Sequence, residues 1–203
     1  MMEKSEKLPQ SRSVALIALG SNVALEGVTP KIIIQSAVEV IGESCGAIRA
    51  VSRLFSTPAH PLGSGPDFVN AALVLETIMA PTALLAALHA IESSQGRLRK
   101  KRWGPRTLDL DLLALEDTLL PDRAVFDHWR GLATEEQQQK TPETLILPHP
   151  RLHERAFVLV PLADALHKAG IDWTHPVLHV TVDEMLDTLP KSERLGVVPL
   201  RDR

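Results

Sequence analysis

The densest set of residues that could do chemistry lies in the stretch GRLRKKRWGPRTLDLDLLAL, residues 96 to 115. Its second half places Asp109 and Asp111 one residue apart in an apolar run. Because side chains alternate along a strand, both carboxylates would emerge on one face, where they repel each other unless a cation or salt bridges intervene. Magnesium suits such a pair, since it takes few carboxylates and completes its octahedron with water and phosphate oxygens. The alternative is a solvent-facing strand whose carboxylates pair with Arg and Lys.

The first half of the same stretch is strongly basic. Six cationic side chains surround Trp103, namely Arg97, Arg99, Lys100, Lys101, Arg102 and Arg106. Gly96, Gly104 and Pro105 favour a shaped loop over a helix face, and a Trp on a loop needs something to cover. We therefore expect this loop to close over the oxygens of a magnesium-bound nucleoside triphosphate. A solvated run of charge is the simpler interpretation of the basic residues taken separately.

A third set of polar residues lies in LPHPRLHERAF, residues 147 to 157. His149, His153, Arg155 and Phe157 cluster there, and phosphate contact by His149 and Arg155 is our interpretation. A zinc site is not indicated, because neither a Cys pair nor an HExxH spacing accompanies these His residues.

The segment FSTPAHPLGSGPDFVN, residues 55 to 70, supplies a hydroxyl from Thr57, a ring from Phe68 and an amide from Asn70. Such a set suits a flat heterocycle, read along its edge and stacked on its face. Phe68 and Asn70 would share a strand face. The alternative is that Asn70 caps a turn and Phe68 is core.

The elements that must position these residues follow from hydrophobic periodicity and Pro/Gly punctuation. We predict strands over 14–22, 47–57, 68–77 and 106–115, helices over 30–43 and 81–96, and a loop over 58–67. The order strand, helix, strand, strand, helix, strand is that of an α+β, ferredoxin-like βαββαβ core, an antiparallel sheet with the helices packed on one face. We expect a domain over 12–166, with a polar insertion or mobile loop at 121–146. A C-terminal extension over 167–203 would hold a short helix and a loose tail.

Bulk properties bound the possible classes of protein. The chain has 203 residues, 44% hydrophobic, and a net charge of -3, so no general affinity for nucleic acid or membranes is indicated. Cys45 has no second Cys to pair with, and no apolar run approaches the about 20 residues of a membrane helix. With no visible signal peptide, we expect a cytoplasmic protein.

Two other functions compete at this stage. A four-stranded ferredoxin-like sheet with a basic loop also describes RNA-recognition modules, but these expose aromatic residues where this chain has aliphatics and Asp. Another magnesium-dependent phosphotransferase or nuclease could use the same Asp pair.

Four segments together resemble the 6-hydroxymethyl-7,8-dihydropterin pyrophosphokinases of folate synthesis, over about Val14 to Ala165. They are ALGSN, FSTPxxPLGxxPDFVNAA, GRxRxxRWGPRTLDLDLL and LPHPRLHERAFVLVPL. The resemblance implies a monomer that moves the β,γ-pyrophosphate of ATP to the hydroxymethyl group of the pterin and releases AMP. Its partners would be these two small substrates, with no nucleic acid and no membrane.

The resemblance also implies a role for individual residues. Two magnesium ions would be held by Asp109 and Asp111. The catalytic set would be Arg97, Arg106, Asp109 and Asp111. The ATP contacts would be Glu92, Arg99, Trp103, Arg106, His149 and Arg155. The pterin contacts would be Thr57, Pro58, Phe68, Asn70, Asp109 and Phe157, with the two Phe rings on either side of the pterin.

Overall fold

The computed structural model describes residues 12–59, 65–95, 107–133, 136 and 139–201. In chain order, its strands are β1 (Ser13–Ser21), β2 (Ala47–Val51), β3 (Phe55–Thr57), β4 (Phe68–Thr77), β5 (Asp109–Leu115) and β6 (Val198–Pro199). Its α-helices of five or more residues are α1 (Pro30–Ser44), α2 (Pro81–Ser94), α3 (Arg123–Arg130), α4 (Ala156–Ala169), α5 (Val182–Thr188) and α6 (Lys191–Leu195), with a 3₁₀ turn at Leu152–Glu154.

The sheet has the antiparallel order β5-β1-β4-β3-β6, and β2 pairs with the other half of β4. Leaving β6 aside, this is the strand order of a split βαβ motif, and it confirms the predicted fold class. The two long strands, β1 and β4, pair from Ser13 opposite Thr77 to Ser21 opposite Val69.

The predicted strand over 47–57 is divided in two at Ser52. The Ser52 hydroxyl accepts from the backbone N–H of Ala72 and donates to the carbonyl of Arg53. Because a side chain takes the place of a ladder partner here, the backbone turns away from β4 and rejoins it as β3. The three-residue strand β3 therefore carries Thr57 separately from β2.

Alternate residues of the sheet supply two cores. Ile17 and Leu73 face α1 and α2, whereas their neighbours Leu16 and Val74 face α4. Helices α1 and α2 thus share one face, as predicted, and α4 covers much of the opposite face. The side of the sheet that α4 occupies is also the side on which the candidate site lies.

Part of the polar segment after β5, which was expected to be an insertion or mobile loop, forms a helix. Asp122 begins α3 by accepting from the N–H of Val125 at 2.9 Å, a side-chain N-cap. Phe126 is 0% exposed and packs with Ile146 and Val177. This part of the insertion is therefore docked on the C-terminal region.

The end of the chain also differs from the expected loose tail. Strand β6 pairs with β3, and the N–H of Leu200 donates to the carbonyl of Leu54 at 2.8 Å. The C-terminal extension therefore contributes a strand to the sheet. In the described ranges, no helix combines the length and the apolar character needed to cross a bilayer.

Candidate active site

The centre of the candidate site is set by the register of β4, β1 and β5. Gly20 on β1 lies opposite Asn70 on β4 and opposite Asp109 on β5, and Ala18 lies opposite Asp111. Since side chains alternate, these positions share the sheet face that α4 covers further along the strands. The amide and the two carboxylates therefore lie on one surface, separated by a glycine that projects no side chain.

On the β4 side of Gly20, the groups suit a flat polar ring. Asn70 is buried, and its Nδ2 donates to Thr57 Oγ1 at 2.8 Å, which fixes the orientation of the amide. Thr57 pairs with Phe68 across β3 and β4, so the hydroxyl, the amide and the half-buried ring are held by regular strand pairing. Pro58 follows on the exposed end of β3.

On the β5 side, the partly buried carboxylates of Asp109 and Asp111 lie within electrostatic reach of Arg155. Burial, with a smaller effect of Arg151, lowers the pKa of the Arg155 guanidinium, whereas Asp111 and Asp109 oppose that decrease. The guanidinium carbon of Arg155 also lies 5.8 Å from the centre of the Phe157 ring. Arg155 thus connects the carboxylate pair with the second aromatic ring.

His149 is placed beside this group by an irregularity in β5. The register between β1 and β5 shifts after Ile17, where Ile17 pairs with Leu112 but Leu16 pairs with Ala114. The carbonyl of Leu113, the extra residue, accepts from the backbone N–H of His149 at 2.7 Å.

The imidazole of His149 is neutral. Burial, and then the charges of Arg155 and Arg151, lower its pKa to about 3, against a smaller opposing effect of Asp109. Its Nδ1 accepts from the backbone N–H of Arg151 at 3.2 Å, so the ring proton resides on Nε2. His149 therefore offers a neutral N–H donor to an anionic ligand.

Glu92 contacts the start of β5. It is 1% exposed, and its Oε1 accepts from the backbone N–H of Leu110 at 2.8 Å. β5 is an edge strand of the sheet, so its outer side has no neighbouring strand to pair with. The Glu92 carboxylate provides a hydrogen-bond acceptor for a backbone N–H on that side. Glu92 thereby holds the segment that presents Asp109 and Asp111, and its contact with ATP stays a prediction.

The donor set fits a hard divalent cation. Among the described residues, no group of three or more His, Cys, Asp or Glu side chains could enclose a metal ion. Two carboxylates on one strand face are instead the partial ligand set that magnesium uses when a phosphate substrate and water complete its shell. Phosphoryl chemistry is the reaction class that this arrangement supports best.

Comparison with known proteins decides the family. Residues 16–167 match the family model described as 7,8-dihydro-6-hydroxymethylpterin-pyrophosphokinase. The chain belongs to this family.

Two relatives named 2-amino-4-hydroxy-6-hydroxymethyldihydropteridine pyrophosphokinase support this assignment. The protein from Pseudomonas aeruginosa is 42% identical over 151 residues, 73% of this chain and 77% of the relative. The protein from Synechocystis is 33% identical over 196 residues, 94% of this chain and 84% of the relative. The chain is accordingly a pyrophosphokinase of folate biosynthesis.

A solved structure agrees on the fold. The wild-type Plasmodium falciparum HPPK-DHPS, solved with pterin and p-hydroxybenzoate, superposes with a TM-score of 0.61 at 17% identity. The match covers 90% of this chain and 44% of that one, so the pyrophosphokinase chain spans less than half of that protein.

Four residues of the expected pyrophosphokinase site belong to the basic loop. Arg97, Arg99, Trp103 and Arg106 lie in the segment 96–106, outside the described residues. Of the other expected residues, the structure brings together Asp109, Asp111, His149 and Arg155 on one side and Thr57, Phe68 and Asn70 on the other. The Phe157 ring lies against Arg155. Gly20 is the point at which the two groups meet.

Three residues near the site were missed by the sequence reasoning. Gly20 and Asn22 entered only as part of the ALGSN segment of the family resemblance, and Arg151 was given no role. Asn22 Nδ2 donates to the carbonyl of Pro66 at 3.2 Å and so ties the end of β1 to the segment that enters β4. The signal for Asn22 was its position at the end of a buried strand, where a loop begins, whereas a glycine that contributes only open space leaves no signal in the residue types.

Proposed function

We propose that this pyrophosphokinase transfers the β,γ-pyrophosphate of ATP to the hydroxymethyl group of 6-hydroxymethyl-7,8-dihydropterin and releases AMP. The observation that supports this most is the shared strand face of Asn70, Gly20 and Asp109. The Asn70 amide, which could hydrogen-bond the edge of a heterocycle, thus lies close to a carboxylate pair suited to a metal-bound polyphosphate, with only Gly20 between them. An acceptor and a nucleotide bound there would meet over Gly20.

The acceptor end would be built from Thr57, Asn70, Phe68 and Phe157, with Pro58 at its rim. Asn70 keeps Oδ1 and one N–H of its amide for the pterin edge, because its bond to Thr57 uses the other N–H. Phe157 is 43% exposed, although aromatic rings of this size are usually covered. A planar ligand stacked on it would gain about 0.5–1.5 kcal/mol beyond simple burial.

The nucleotide end would be built from the carboxylate pair and the basic groups around it. Asp109 and Asp111 would hold two Mg²⁺ ions, which would neutralise the developing charge on the polyphosphate. Arg155 and the Nε2–H of His149 would donate to its oxygens, and one well-placed donor of this kind can lower the barrier by about 3 kcal/mol. The predicted contacts of Arg97, Arg99, Trp103, Arg106 and Glu92 complete this end.

The protein need supply little covalent chemistry. A primary hydroxyl has to be held in line with the β-phosphorus, and the site residues do this by fixing both substrates. Asp109 lies nearest to Gly20 and to the acceptor end, so we assign it to orienting the hydroxyl. Its neighbour Asp111 lies one strand step further from the acceptor.

The test is product analysis. The protein would be incubated with ATP, Mg²⁺ and 6-hydroxymethyl-7,8-dihydropterin, and the nucleotides would be separated by chromatography. AMP that forms only when the pterin is present supports the proposal, whereas ADP or pterin-independent hydrolysis contradicts it. Asp111→Asn should remove the activity, while Asp117→Asn, an exposed carboxylate in the turn after β5, is the matched control.

We infer a monomeric cytoplasmic enzyme whose catalytic domain spans residues 12–166, followed by the extension 167–203. Sedimentation equilibrium tests the monomer, and a stable dimer at micromolar concentration would contradict it. An RNA-binding role is disfavoured by the carboxylates on the face that such modules use.

A further inference from the structure

We propose that Gly20 is a specificity-determining residue, because the volume that its missing side chain leaves open forms the floor of the acceptor pocket. The inference rests on the proposed function and adds a residue to it. The ligand class it selects is a flat bicyclic heterocycle with an N–H donor on its edge.

Backbone conformation does not account for a glycine at this position. Gly20 lies inside β1 and is paired on both sides, and its φ lies outside the left-handed region that favours glycine. Glycine inside a strand costs about 0.5–1 kcal/mol relative to alanine. Gly46 is different, since its φ is 152° and an added Cβ would lie 2.2 Å from the carbonyl oxygen of Glu76.

Packing among the described residues does not require a glycine there either. A Cβ on Gly20 would lie 3.4 Å from Asn70 Oδ1, 4.0 Å from Asp109 Cβ and 4.0 Å from Phe68 Cδ1. These are ordinary contact distances, so alanine should fit into the folded chain without displacing a neighbour. No described residue therefore needs the space above Gly20, which is open to a ligand.

The three groups around this space define what would fill it. Asn70 Oδ1 is an acceptor, the Phe68 ring is a flat apolar wall, and Asp109 marks the boundary with the carboxylate pair. A donor on a ligand approaches Oδ1 to about 2.9 Å, whereas carbon atoms keep about 3.5–4.0 Å apart. A methyl group 3.4 Å from the same oxygen would therefore crowd a ring that donates to it.

The consequence is a specific defect in Gly20→Ala. Loss of one hydrogen bond in the pocket should weaken pterin binding by about tenfold, while the nucleotide end keeps its groups. We expect a higher KM for the pterin, a KM for ATP close to that of the wild type, and a melting temperature no lower than that of the wild type. Gly20→Ser, which adds one more atom, should weaken pterin binding further.

The experiment measures binding and catalysis separately. Binding of the fluorescent 6-hydroxymethylpterin, in the presence of a non-hydrolysable ATP analogue, would be titrated for the wild type, Gly20→Ala, Gly20→Ser and Gly42→Ala. Gly42 lies in α1, where an added methyl meets only the end of the Ile48 side chain, so its variant should bind as the wild type does. Each protein would also be assayed for AMP release.

A double-mutant cycle links the effect to its cause. If the methyl group acts by obstructing Asn70 Oδ1, it should cost much less in the Asn70→Ala background than in the wild type. Wild-type pterin affinity in Gly20→Ala, equal losses for ATP and pterin, or strict additivity with Asn70→Ala would each overturn the inference. Failure of the wild type to release AMP would instead count against the proposed reaction, because pterin binding is read without turnover.

Discussion

Replacement of His175 by Asn should make the protein markedly less sensitive to acid. The His175 ring is 0% exposed and lies between Phe126 and Trp173, with ring centres 5.5 and 5.6 Å away. Its Nδ1 accepts from the backbone N–H groups of Val177 and Leu178, and its Nε2 is buried with no hydrogen-bond partner in the part of the chain that the structure describes. Protonation of Nδ1 would point its hydrogen at these two N–H donors. The folded state therefore favours the neutral imidazole over the cation.

The size of the effect follows from linkage. Burial, reinforced by His153 and by the charges of Arg130 and His179, lowers the pKa of His175 from 6.5 to about 4. Below pH 6.5, His175 therefore binds a proton in the unfolded chain, whereas in the folded chain it stays neutral until the pH approaches 4. Between pH 7 and pH 5 this difference removes about 2 kcal/mol of the free energy of unfolding.

The measurement is urea unfolding at pH 7 and at pH 5, followed by far-UV circular dichroism. His175→Asn keeps an acceptor near the Nδ1 position but does not titrate, so it should lose about 2 kcal/mol less than the wild type on acidification. It starts from a lower stability at pH 7, because its side chain fills less of the space between the two rings. The low pKa of His149 acts in both proteins and cancels in the comparison.

A control and a refuting result complete the design. His128→Asn changes a histidine that is exposed on α3, so its acid sensitivity should follow that of the wild type. If His175→Asn and the wild type lost the same free energy of unfolding between the two pH values, the buried neutral imidazole would not be a source of acid lability.

Three further predictions concern the site and its support. Asp111→Asn should lower kcat by about a hundredfold or more with an unchanged circular dichroism spectrum, and wild-type turnover would refute its assignment to the metal. Phe157→Ala should raise the KM for the pterin about three- to tenfold, while the melting temperature changes little because the ring is 43% exposed; a large fall in stability would show that the ring is structural. Phe126→Ala should cost about 3–5 kcal/mol of stability in urea unfolding, since the ring is 0% exposed, and a wild-type transition would mean that the insertion is not docked.

The parts of the fold that the sequence predicted are those with long periodic patterns. The bounds of β4 follow directly from its apolar run, and α1 and α2 begin at the Pro residues that mark their first turns. The same alternation that places Leu110 in the core puts Asp109 and Asp111 on the opposite face. Periodicity alone was therefore enough to orient the carboxylate pair.

The features that escaped prediction depend on single contacts. The break at Ser52 comes from one hydroxyl that replaces a backbone partner. Helix α3 lies in a polar segment and is held largely by Phe126, and β6 has only two residues, too few to show a period. Gly20 was missed as a site residue because its contribution is empty space, which no residue-type pattern records.

The buried bond between Glu92 and Leu110 has a consequence for interpreting sequence variation in this enzyme. In a saturation library selected for growth without added folate, Glu92 and Asp111 should both be nearly invariant, yet for different reasons. Lowering the growth temperature or supplying extra chaperone should rescue some replacements of Glu92, because they weaken the anchoring of an edge strand. The same treatment should rescue none at Asp111, so the conditional survivors would separate scaffold from chemistry at two residues that serve the same strand.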